Sequence, residues 1–207
     1  TSCFWCRPLK TTNHTYSNLN PENMFNFIVR AFQRHTLRKL PSLNRKKYHS
    51  LEDARSVAIV FNSQESEIAE AIGILDKELK KFGISYKGLG ISFTKDETTN
   101  SKLDHYPYIV QILRKETDWL SSPTKEQAEN FDTERYDILF DLELQPSLAI
   151  EYSIKRCKCG MIVGYCPERE EMYDLCIKGG EGKTEARPSL AEYVKQLIQY
   201  LTIIKSK

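Results

Sequence analysis

Apolar and polar positions change their period several times along this chain, and each change marks an element. Residues 56–61 (Ser-Val-Ala-Ile-Val-Phe) form a nearly unbroken apolar run, as expected of a strand buried on both faces. The period then lengthens: Ile68, Ile72, Leu75, Leu79 and Phe82 recur at helical spacing, and Gly83 supplies a left-handed stop. Asn62, with Glu65 three residues on, reads as the cap of that helix. Residues 84–93 return to a strand pattern, which completes one strand–helix–strand unit.

A second unit follows with the same logic. Residues 136–144 (Tyr-Asp-Ile-Leu-Phe-Asp-Leu-Glu-Leu) are a buried strand, residues 146–155 a helix, and residues 159–165 a further strand. Residues 172–177 read as another strand at an edge. Pro188 then leads into a helix over 190–204 with Leu190, Val194, Leu197 and Leu201 on its core side. Residues 95–130 are the least regular, with a short strand at 108–113 and a short polar helix from Pro123 to about Asn130. The sum predicts a three-layer α/β domain, Rossmann-like or flavodoxin-like, around a mostly parallel sheet of five or six strands.

An amphipathic basic helix precedes it. Over 24–40, Phe25, Ile28, Val29, Phe32 and Leu40 gather broadly on one side, while Arg30, Arg34 and Arg38 line another, and Pro41 ends the helix. The expected organisation is a 1–23 extension that is disordered or an artefact of start-site assignment, a basic helix and linker over 24–47, and a single α/β domain over 48–207.

Charge sharpens this picture. The chain carries 30 Lys and Arg against 28 Asp and Glu, so net charge alone does not make it a polyanion binder. Yet residues 24–50 hold seven Lys or Arg and no acid. Arg30, Arg34, Arg38, Arg45, Lys46 and Lys47 are therefore the candidate contact surface for a protein, RNA or an anionic membrane surface. No run approaches the roughly 18 apolar residues of a membrane span. Six cysteines in a chain of this length read better as buried thiols than as a disulfide framework, which points to the cytoplasm.

Candidate chemistry is sparse. Asp141 and Glu143 stand at the carboxyl end of a central strand, where open α/β sheets place ligands; they could hold Mg²⁺ or serve acid–base chemistry, or Asp141 could simply bind loop amides. Asn62 and Ser63 line the same rim, as do Ser92 and Thr94. Gly182-Lys183-Thr184 lacks the glycine five residues earlier that a phosphate loop needs, since Ile177 stands there. No Gly-x-Gly-x-x-Gly is present, Cys157, Cys159, Cys166 and Cys176 lack paired zinc-knuckle spacing, and Cys3-x-x-Cys6 has no companion pair. The expectation is no cofactor and no metal.

Several segments carry a resemblance. The basic start, residues 49–61 (His-Ser-Leu-Glu-Asp-Ala-Arg-Ser-Val-Ala-Ile-Val-Phe), Lys115-Glu-Thr-Asp-Trp119, the 136–141 strand with its helix, Val163-Gly-Tyr165, residues 173–177 and the final helix together resemble a family of uncharacterised bacterial proteins, typical of Bacteroidetes. That resemblance implies no activity. Residues 136–165 are also similar to part of the N-terminal half of heptosyltransferase-type glycosyltransferases, which need a second half to hold the nucleotide-sugar; about 40 residues after Tyr165 are too few to supply one. The leading expectation is a non-catalytic binding domain acting through its basic helix. The alternative is an enzyme or a domain for a small ligand, nucleotide or sugar, at the strand carboxyl ends.

Overall fold

The apolar runs become parallel strands. The computed structural model describes residues 21–40, 48–94, 98–118, 123–124, 126–165, 167–177 and 187–204. Its strands are β1 (Ser56–Asn62), β2 (Ser85–Ile91), β3 (Ile109–Ile112), β4 (Arg135–Asp141), β5 (Lys158–Gly164) and β6 (Leu175–Cys176). They form one sheet in the order β3-β2-β1-β4-β5-β6, every pairing parallel. That order is the Rossmann-like one, and it separates the fold from the flavodoxin-like alternative. Cys3, Cys6, Arg45, Lys46, Lys47, Trp119, Cys166 and Gly182-Lys183-Thr184 lie outside the described residues.

The helices are α1 (Pro21–Lys39), α2 (Ile68–Lys81), α3 (Glu126–Thr133), α4 (Leu148–Arg156) and α5 (Leu190–Ile203). Strand alternation divides the core in two. Val57, Ile59, Phe61 and Phe140 pack with Leu75 and Leu79 of α2 and Val194 and Leu197 of α5 on one face. Ala58, Val60, Leu89 and Leu139 pack with Phe131 of α3 and Ile150 and Ile154 of α4 on the other. Two hydrophobic layers against one sheet explain why the central strands are apolar throughout rather than alternating.

Polar groups fix the register at the strand starts and edges. The Asp137 carboxylate accepts from the backbone N–H of Arg55 (2.7 Å) and Ser56 (3.1 Å), tying the beginning of β4 to that of β1. The Ile162 N–H donates to Asp174 Oδ2 at 2.7 Å, which holds the short β6 on β5. Gly83, at φ 68°, closes α2 in the left-handed region its spacing called for.

The start of α2 differs from the sequence expectation. Asn62 does not cap the helix: its Oδ1 accepts from the Gln64 N–H at 3.0 Å, an Asx turn, and the helix begins only at Ile68. The nearest amide captures the side chain before a capping box can form. A capping box instead opens α5, between Ser189 and Glu192, while Pro188 stands just before the cap. The expected 172–177 strand is reduced to two residues, with a 3₁₀ turn over Pro167–Met172 before it.

α1 packs beside α4. Leu37 and Gln33 are buried, and Lys155 of α4 donates to the Leu37 carbonyl at 3.2 Å, satisfying a helix-end acceptor. Phe32, expected with the apolar side, is 52 % exposed. It lies about 100° around the helix from Gln33, so a stripe centred on Gln33 and Leu37 leaves it outside.

Gly164 ends β5 against the face of Tyr173, and a Cβ there would fall within the ring. Gly164→Ala is expected to destabilise the protein by about 1–3 kcal/mol through overpacking, read as a lower urea midpoint at unchanged slope. An unchanged midpoint would show that the ring can move aside without loss.

Candidate functional site

The reversal of strand order places β1 and β4 side by side while their connections run to opposite faces. The carboxyl edge of the sheet is therefore where loops part and a ligand can enter. The expected rim residues are all at this edge, but they are engaged with the scaffold. Asp141 is fully buried, and Glu143 and Ser63 are buried beside the edge. Asp141 Oδ2 accepts from the Tyr173 hydroxyl at 2.7 Å and Oδ1 from the Glu143 N–H at 2.9 Å. Its backbone carbonyl accepts from the Tyr193 hydroxyl of α5 at 3.0 Å. Burial and the adjacent Asp141 carboxylate hold the Tyr193 phenol well above its ordinary pKa, so it remains a donor.

Asp141 thus joins the end of β4 to the segment before β6 and its carbonyl anchors α5. The Ser63 carbonyl accepts from Asn100 Nδ2 at 2.9 Å, and the Ser63 N–H donates to the Ile91 carbonyl at 3.1 Å. Of the two readings open for Asp141, the loop-amide bond is the geometry present. Cys157 and Cys159 are buried; hydrogen bonding to Cys159, with burial, pushes the Cys157 thiol up, which disfavours the thiolate. No group of three or more His, Cys, Asp or Glu among the described residues is placed to hold a metal.

The open space lies beside these residues. A cleft of about 860 Å³ is lined by Arg30 and Arg34 of α1, Ser92 and Phe93 after β2, Arg114 and Asp118 after β3, and Ser147 and Leu148 at the start of α4. It reaches from the loop leaving β2 to the loop entering α4, and β1 stands between those two strands in the sheet. Ser147 caps α4 by accepting from the Ile150 N–H, so the positive end of that helix faces the cleft wall.

Arg30, Arg34 and Arg114 are exposed, and none forms an ion pair with a described residue. Ser92 is buried, its hydroxyl 3.1 Å from that of Thr94. The structure therefore brings Arg30 and Arg34, read from the sequence as a charge stripe, together with Ser92. It leaves Arg38 outside the lining, and Asn62, Ser63, Asp141 and Glu143 as well. Arg114, Phe93, Asp118 and Ser147 were not singled out from the sequence. Ser147 had a local signal, a serine three residues before Ile150 at the head of an apolar stripe, and Asp118 lies in the 115–119 segment that carries the family resemblance.

Fold and cleft define a doubly wound α/β protein with a cationic recess at the carboxyl edge of its sheet. The chain belongs to a family of unknown function, DUF6913, whose pattern matches residues 27–204. No curated protein matches it significantly. A solved structure described as a hypothetical protein from Trypanosoma cruzi aligns over 75% of this chain and 78% of its own, at 13% identity and a TM-score of 0.35. That likeness is too loose to carry any argument. No helix among the described residues is long and apolar enough to cross a membrane.

If Asp141 works as a brace, Asp141→Ala strands a part-buried hydroxyl and a buried amide, the latter costing about 1–3 kcal/mol. A stability loss of roughly 2–4 kcal/mol in urea unfolding is expected, with Tyr173→Phe losing about 1 kcal/mol. Unchanged stability in the alanine variant would return Asp141 to the list of ligand-facing groups.

Proposed function

We propose that this chain is a non-catalytic binding domain that holds a small phosphate-bearing anion in the cleft, with the basic helix α1 as one wall and the strand carboxyl ends as the floor. One observation carries the reading: Arg30 and Arg34 from α1 and Arg114 from the far side converge on one recess without an ion-pair partner among the described residues. Guanidinium groups gathered in this way favour an incoming anion, and their planar donors match phosphate oxygens in pairs. The cleft's size lies in the range of small-molecule sites, about 300–1,000 Å³. The α4 N-terminus adds favourable dipole on a second side. The buried thiols of Cys157 and Cys159 suit a reducing compartment, the cytoplasm.

A second reading rests on the other flank of α1. Phe32 is exposed, and Arg38, six residues on and about 120° around the helix from it, is exposed as well; together they offer apolar and cationic contacts to a protein, RNA or anionic membrane partner.

Calorimetric titration of the full chain with inorganic pyrophosphate tests the first reading. Arg34→Gln and Arg114→Gln are each expected to weaken binding about tenfold or more, because each removes a charge-assisted contact, and Arg38→Gln to leave it unchanged. Pyrophosphate that fails to bind, or binds all three variants equally, would overturn it. Loss of partner capture on Arg38→Gln with pyrophosphate binding intact would favour the second reading.

A further inference from the structure

We infer that the anion held in the cleft is the phosphate end of a nucleoside phosphate. This rests on reading the cleft as an anion site and adds what lies beyond the anion. The first reason is size: about 860 Å³ is far more than a free phosphate or pyrophosphate can fill. The second is that the lining has a mixed character. Beside Arg30, Arg34 and Arg114 it includes the partly buried Phe93 and Leu148. A phosphosugar would leave the part of the lining formed by Phe93 and Leu148 uncovered. A planar base covers the same wall and offers a π-face to the Phe93 ring.

The third reason is Asp118. Among the described lining residues it is the one carboxylate beside three guanidinium groups, and it is partly buried next to Thr117. A carboxylate is repelled by phosphate, so it disfavours a ligand that is anionic along its whole length. It accepts several hydrogen bonds, and vicinal ribose hydroxyls are donors that match it. Cations would meet the phosphates, the carboxylate the sugar and the aromatic ring the base. The position is consistent as well, since the cleft spans β1 beside the point where the strand order reverses.

The test is a calorimetric comparison on the full chain. The probes are pyrophosphate, ribose 5-phosphate, and the diphosphates of adenosine, guanosine, uridine and cytidine. At least one nucleoside diphosphate is expected to bind about tenfold or more tightly than pyrophosphate and ribose 5-phosphate. Phe93→Leu, which keeps packing volume and removes the π-face, should erase most of that advantage while leaving pyrophosphate affinity unchanged. Asp118→Asn should weaken the ribonucleotide towards its 2′,3′-dideoxy counterpart without weakening pyrophosphate. Pyrophosphate binding that no nucleotide improves upon would overturn this inference and leave the anion cleft standing. Nucleotide affinity indifferent to both variants would also overturn it. A chain that binds none of the probes would remove the anion reading itself.

Discussion

Crossovers of one hand constrain this molecule more than any single contact. When parallel strands are joined by connections of the same hand, running out to one side of β1 puts the helix on one face, and running to the other side puts it on the opposite face. The observed arrangement follows: α2, between β1 and β2, packs on one face, and α4, between β4 and β5, on the other. The sheet is therefore buried on both sides, its central strands are apolar throughout, and the loops separate at the carboxyl edge. A recess there is a consequence of topology before any side chain is chosen. The side chains decide only what it can hold.

Two kinds of charge occupy that edge, and burial separates their roles. Asp141 is removed from water, so its carboxyl oxygens must be met by donors inside the protein, and Tyr173 and the Glu143 amide provide them. Such a group organises structure because leaving it unmet is costly. The arginines of α1 and Arg114 stay in contact with solvent, where an unpaired cation costs little and remains available to an incoming anion. Position at a strand end is thus a weak guide to function until the local dielectric is known.

Much of the architecture was legible because period and burial are local properties. β1, α2, β2, β4, α4 and β5 each announce themselves within about ten residues, and Gly83 marks its own backbone conformation. The departures come where two local bonds compete or where distance decides. Asn62 carried a capping pattern, but its own loop offered the Gln64 amide first. Phe32 fits an apolar side of α1 only until α4 selects the stripe that includes Gln33 and Leu37. The stripe of Arg30 and Arg34 could be read from spacing alone. The cleft could not, since its walls come from segments near residues 30, 92, 114 and 147, and Arg114 sits in the stretch with least pattern. Asp141 was visible as a strand-end carboxylate, whereas the partners that define its role, Tyr173 and Tyr193, are 32 and 52 residues away.

The margins of the sheet have a consequence of their own. The four inner strands are seven residues long, but β3 has four residues and β6 two. A foreign strand approaching either margin meets only a short row of backbone donors and acceptors, too few to template cross-β growth. Tapering at both ends thus suppresses aggregation between copies.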